Sequence, residues 1–178
     1  MIAARTPNMI HATGAGRSAA PVTAGRAPRK PKAPDWNAKL RPDLEPEIVT
    51  DKRLGGRLLL PTPLLVAEAI ASVPPGATIR ISQLRDRLAQ QFGADRTCPL
   101  MTGIFVKIIA GAVADDLVQR RKPRWPVWRL VADDGRLNTT WPLDALYRAT
   151  RLREEGVRLG RKAGAWQVLD APGGQTGT

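Results

Sequence analysis

Pro123-Arg-Trp-Pro-Val-Trp-Arg-Leu-Val-Ala-Asp-Asp-Gly-Arg-Leu137 is the stretch on which the fold turns. Leu130-Val131-Ala132 is a short apolar run of the kind that forms a buried strand. Asp134-Gly135 then supplies a tight turn, since glycine accepts the positive φ that such turns need. Arg120, Arg121, Lys122, Arg124 and Arg129 surround two flat rings, Trp125 and Trp128. Cations beside aromatic rings suit phosphate contact with base stacking. The same residues also admit a plainer reading, in which the tryptophans pack in the core or the wing and the cations form a solvated loop.

Upstream, Thr62-Pro63 places a hydroxyl cap before a proline at the first helical position. Val66, Ile70 and Val73 recur at helical spacing, and Pro74-Pro75-Gly76 stops the helix. Thr78 to Ile81 alternates as a short strand, and Ser82 is the expected cap of a second helix. Leu84, Leu88 and Phe92 form that helix's apolar stripe, with Arg85 and Arg87 outward and Gly93 at its end. After a tight connection, Thr97-Cys98-Pro99 opens a third helix running to about Val118. Ile104, Ile108 and Val113 are expected on its buried side. Thr102 and Lys107 are its few polar residues, Gly103 and Gly111 allow close backbone approach, and Asp115-Asp116 oppose the helix dipole. Two helices joined by a short turn, then a strand with a turn, spell a helix-turn-helix with a wing. Trp141-Pro142 is the expected start of a last helix, with Leu143, Leu146, Tyr147 and Thr150 on one face and Arg148, Arg151 and Arg153 elsewhere. Gly156 ends it, and Ala165 to Leu169 is a terminal strand or an ordered tail.

The expected class is therefore mainly α with a small β wing, a winged helix-turn-helix domain preceded by a disordered arm. Residues 1–56 divide into a basic arm and a linker, 57–169 form the domain, and 170–178 a disordered tail. The first 34 residues hold no Asp or Glu but carry Arg5, Arg17, Arg26, Arg29, Lys30 and Lys32, a composition that cannot bury enough apolar surface to order itself. Asp35 to Asp51 shows no period, and Trp36 and Ile48 are its candidate anchors. The true start, Met1 or Met9, stays open.

Over 178 residues the net charge is +12, which makes nucleic acid the default partner. With one cysteine, Cys98, and one histidine, His11, neither an internal disulfide nor a structural metal site is expected, and no cofactor is implied. No run reaches the roughly 18 apolar residues that a membrane span requires. An intracellular location is expected, on a bacterial nucleoid or elsewhere, with organelle targeting by the arm left open.

The signature stretch resembles the active-site segment of the alkylguanine-DNA alkyltransferases, the methylated-DNA–protein-cysteine methyltransferases. Their Pro-Cys-His-Arg-Val stands here as Pro126-Val127-Trp128-Arg129-Leu130. Val73-Pro74-Pro75-Gly76-Ala77-Thr78 is similar to the family's opening Ile-Pro-x-Gly-x-Thr, and Glu155-Gly156 to the Glu-Gly that closes it. Thr97 to Ile104 takes the place of the family's recognition helix. The resemblance spans residues 62 to about 159 and implies a winged-helix DNA-binding domain, most similar to the single-domain alkyltransferase-like members. Those lack the acceptor cysteine and mark alkylated guanine for repair. Val127 occupies the cysteine's position and Trp128 the activating histidine's, while Arg129 and Glu155 match the signature arginine and its acidic partner. The family's phosphate-turning tyrosine falls at Ile81 and its base-stack arginine near Leu100, with Arg80 or Arg96 as substitutes.

Alkyl transfer to protein needs a thiolate and a base beside it. Val127 is a hydrocarbon, and the indole of Trp128 is a donor only. The expectation is a non-catalytic DNA-binding protein, with plain or alkylated duplex DNA as partner. Arg120, Arg121, Lys122, Arg124, Trp125, Trp128, Arg129, Thr102, Lys107 and Arg80 are the candidate contacts. Two other classes stand beside it: an RNA- or ribosome-associated or transcriptional winged-helix protein, and an alkyltransferase acting through Cys98.

Overall fold

The Thr62 hydroxyl accepts the Leu65 N–H at 3.2 Å and Pro63 takes the first helical position, so α1 (Pro63–Ala71) begins where its sequence indicates. Three more helices follow in the computed structural model, which describes residues 34–169: α2 (Ile81–Gln91), α3 (Pro99–Val118) and α4 (Ala145–Glu154). The basic arm before residue 34 and the tail from residue 170 lie outside the described residues. Val66, Ala67 and Ile70 of α1 share one buried cluster with Leu84 and Leu88 of α2 and Val106, Ile109 and Val113 of α3. Each such side chain stabilises the fold by roughly 1.5–3 kcal/mol through burial.

Three small sheets tie the helix ends together. β1 (Glu47–Thr50) pairs antiparallel with β2 (Arg57–Leu60), and β2 pairs parallel with β4 (Arg96–Thr97). β3 (Ile79–Arg80) pairs parallel with β5 (Leu130–Val131), Ile79 opposite Leu130. β6 (Leu159–Lys162) and β7 (Ala165–Val168) form a hairpin. The architecture is α+β.

Several expectations need correction. The segment Asp35–Asp51, expected to lie along the domain, carries structure of its own, and its expected anchors Trp36 and Ile48 pack against the core. A 3-10 turn at Ala38–Leu40 buries Leu40, and Glu47–Thr50 is a strand. A four-residue strand that follows Pro42 and Pro46 is too short to show a period. Ser82 does not cap α2. Arg80 stands at that position, its N–H bonded to the Gln83 side-chain oxygen at 2.9 Å, and the Ser82 N–H donates to Asp133 at 2.9 Å. The Ser82 side chain and then its N–H, both bonded to Asp133, hold that carboxyl below the usual range. Only Asp134 acts as the expected turn former, accepting the Arg136 N–H at 3.0 Å.

The turn at Gly135 is present, with φ +81°. Its flanks differ from a simple two-stranded wing. β5 pairs with β3, and Arg136 instead bridges to Gln167 of β7. Trp141-Pro142 does not start α4. Asp144 does, accepting the Tyr147 N–H at 3.0 Å. Packing of α4 buries Arg148, Ala149 and Leu152 and leaves Leu146 and Thr150, expected on the apolar face, exposed. Ile104, expected inside, is 49% exposed, because α3 is apolar on nearly every side and its pattern cannot say which side faces out.

The backbone space at Gly111 is filled from within. A Cβ there would overlap the Trp36 ring, whereas one at Gly103 would meet nothing within 4 Å. Gly111→Ala should therefore destabilise the protein by about 1–3 kcal/mol in urea unfolding, as overpacking does. Adding Trp36→Ala should recover part of that loss.

Candidate nucleic-acid interface

The signature segment enters its site through a 3-10 turn, Val127–Arg129, that buries Val127 completely and leaves Trp128 5% exposed. The Arg129 guanidinium forms a two-point pair with Glu155, Nε to Oε2 and Nη2 to Oε1, both at 2.9 Å. Its Nη1 donates to the Val73 carbonyl at 2.5 Å, and the indole N–H of Trp128 donates to Glu155 Oε1 at 2.8 Å. Both members of the pair are 11% exposed. Burial alone would raise the Glu155 pKa; the hydrogen bonds from Arg129 and Trp128 outweigh it and hold the carboxyl below its usual value. Arg129, a candidate phosphate contact, is thus occupied within the fold.

Trp128 is placed likewise. Its ring meets Tyr147 edge-on at 6.3 Å, and Arg151 stacks over it at 4.9 Å. A ring so enclosed packs the interior and has no face left for an incoming base. Trp125 is half-buried, with the Arg124 guanidinium 4.5 Å from its centroid.

The cations ahead of the turn fall into two groups. The Asp116 side chain, nearly fully buried, binds Arg121 at 2.8 Å and Arg124 at 3.3 Å, and Arg124 also bonds Asn37. These pairs offset the acid's unfavourable place near the C-terminus of α3. Arg120 terminates the helix with φ +55°, its N–H reaching the Leu117 carbonyl at 3.0 Å and the Arg121 N–H reaching Asp116 at 2.7 Å. Glycine is the usual residue in such a left-handed cap. Arg120 and Lys122 are exposed, and no acid among the described residues pairs with either.

On α3, Thr102 is buried and its hydroxyl donates to the Cys98 carbonyl at 2.8 Å, so the helix itself consumes this candidate contact. Lys107 is exposed. Leu100, Gly103, Ile104 and Lys107 lie at i, i+3, i+4 and i+7, one open ridge along the first half of the helix. Sequence reasoning missed this ridge because it took Ile104 for a core residue. Arg80 is half-exposed beside the β3–β5 pairing. Arg96, weighed as a substitute contact, instead pairs with Asp51 at 3.1 Å. Cys98 is half-buried at the N-cap of α3, lining a groove with Leu54, Leu58 and Leu100.

Arg148 is a charged residue expected on the outer face of α4 and found inside. It is fully buried, donates to the Asn138 carbonyl at 2.8 Å and stacks over Trp141 at 4.6 Å. Burial pulls its pKa down to about 10, with Asp144 opposing the shift. Its Nε and Nη1 have no partner among the described residues.

No family model matches the chain, and no curated protein does. Two solved structures are similar to it. One is S. pombe Atl1 in complex with damaged DNA containing O6-carboxymethylguanine, at 17% identity and a TM-score of 0.43 over 62% of this chain and 89% of that one. The other is S. pombe ATL in complex with DNA, at 17% identity and a TM-score of 0.39 with the same coverage.

Removing one partner of a buried pair leaves the other charge uncompensated, so Glu155→Gln should cost about 3 kcal/mol at neutral pH. The folded pKa of Glu155 lies below its unfolded value of about 4.5, so on acidification the unfolded chain takes up its proton first. The stabilisation is complete above that value and is lost as pH falls through the folded pKa. Denaturation midpoints measured from pH 7 to pH 3 should fall more steeply for the natural protein than for the variant.

Proposed function

We propose that the protein is a non-catalytic DNA-binding protein of the alkyltransferase-like kind, in which α2, α3 and the turn around Gly135 act as a winged helix-turn-helix. Recognition of alkylated bases in intracellular duplex DNA is its specific role. One observation carries the reading. The frame of the signature is kept as a buried Arg129–Glu155 pair, while the position of the acceptor cysteine holds Val127, sealed from solvent. A scaffold that holds this turn in place around an inert side chain suits binding and not transfer.

The charge supports the same reading. Arg120, Lys122 and Lys107 are exposed, and the ridge of α3 that ends at Lys107 offers small and apolar side chains to a groove. Arg121 and Arg124, each about half exposed, add positive potential even while paired to Asp116. Arg129 and Trp128 position this surface from beneath.

The test is a titration of the full chain on plain duplex, on duplex carrying an alkylguanine, and on structured RNA of equal charge, with tryptophan fluorescence as readout. Three phosphate contacts alone give a slope of roughly −2.7 in log K against log salt, hence about a 40-fold loss of affinity between 50 and 200 mM, and each further contact steepens it. The alkylated duplex should bind more tightly than the plain one. Equal affinity for the two duplexes would remove the damage-recognition role, and tighter binding of RNA would remove the DNA reading.

A further inference from the structure

The tip of the β1–β2 hairpin, Asp51-Lys-Arg-Leu-Gly-Gly56, lies outside the span that resembles the alkyltransferases. Lys52, Arg53 and Leu54 are all exposed there, Leu54 to 75%. The tip is nevertheless held firmly. Asp51 accepts the N–H groups of Arg53 and Leu54 at 2.9 and 3.1 Å, and Gly55 and Gly56 take the positive φ angles, +69° and +78°, that close the turn. Arg96 of β4 reaches across to Asp51 at 3.1 Å and also donates to the Gly55 carbonyl.

These bonds fix the tip beside the first turn of α3. β2 pairs with β4, and the Cys98 N–H, at the cap of α3, donates to Leu59 at 2.8 Å. Leu54 from the hairpin and Leu100 from α3, the latter 71% exposed, consequently line one groove. Its acid, Asp51, is already matched by Arg96. The cations at the tip, Lys52 and Arg53, pair with no acid among the described residues. A rigid turn that exposes two unpaired cations beside two unpartnered leucines combines the two features of a groove-entering element. Cations hold phosphates, and apolar wedges enter between bases from the minor groove.

We propose that the β1–β2 hairpin is a second DNA-contact element, in which Lys52 and Arg53 grip phosphates while Leu54 and Leu100 enter the minor groove of the duplex together. The charge selects a polyanion, and the paired leucines select one with a groove to fill. This inference rests on the DNA-binding function proposed above and extends its footprint beyond the wing and α3.

Fluorescence anisotropy on a labelled duplex with the full chain tests it, comparing Lys52→Glu/Arg53→Glu, Leu54→Ser and Leu100→Ser with Lys122→Glu as the reference on the other surface. The charge reversal should weaken binding roughly tenfold or more and lower the magnitude of the salt slope by about 2, one contact per cation. The leucine variants should weaken binding a few-fold with the salt slope unchanged. All these positions are exposed, and unchanged melting temperatures should confirm that each variant folds. Hairpin variants that bind duplex as the natural protein does, while Lys122→Glu binds more weakly, would overturn this inference and leave the proposed function standing. Natural protein that binds no duplex at any salt would overturn both. Hairpin variants that lose affinity for structured RNA alone would assign the surface to a different partner and so overturn it as well.

Discussion

The carboxylate of Glu155 is the constraint on which the domain's geometry depends. It caps the end of α4, yet it receives three donors from two distant parts of the chain: the Arg129 guanidinium and the Trp128 indole of one turn, and the backbone of Gly76 at 3.4 Å. A buried carboxylate costs several kcal/mol in lost hydration, and an acid with this burial is tolerated only because its oxygens are so fully supplied. The turn after α1, the signature turn and the end of α4 are therefore fixed by one group. Gly76 fits this closure because its φ is +82° and a Cβ would already sit 3.0 Å from the Glu155 carbonyl. Trp128 is carried to the interior by the same bond and supplies a floor for the second cluster, with Leu137, Ala149 and Leu152.

Asp116 plays a comparable part at the other end of the signature segment, and the contrast is instructive. Its arginine partners are about half exposed, so each pair is worth far less than the Arg129–Glu155 pair, on the order of 1 kcal/mol or below. Asp116 instead acts by direction. It draws Arg121 and Arg124 back against α3 and leaves Arg120 and Lys122 facing solvent. A run of four cations that looks uniform in sequence is in this way divided into two that are paired back against α3 and two that face solvent.

Much of this was legible in the residues, and what was not has definite causes. The start of α1 is written in Thr62-Pro63, and the turn at Gly135 in Asp134-Gly135, because local bonds within four residues decide both. The cores of α1 and α2 follow from spacing alone. By contrast, Ser82 has the right chemistry for a cap, but an acid 51 residues away, Asp133, meets its N–H instead. Whether Arg129 touches phosphate or Glu155 is likewise a question about a residue 26 positions distant. The ridge of α3 was hidden because a helix apolar on all sides carries no phase. The β1–β2 hairpin was hidden because four-residue strands carry almost no period, and β4, only two residues long, exists as a strand solely through its pairing with β2.

The residues at the heart of this turn make physical sense as a set. An imidazole at position 128 could act as donor or acceptor, but an indole can only donate. Trp128 supplies an N–H to Glu155 and has no lone pair with which to act as a base. Val127, with no polar atom, can be sealed completely without an unsatisfied group, which a thiol poised for reaction could not be. Valine and tryptophan at these two positions suit the turn to packing and keep the clasp around Glu155 fully supplied. Val127 packs in the same cluster as α3, so the turn that clasps Glu155 also holds that helix, and the exposed Arg120 and Lys122 that follow it, in position.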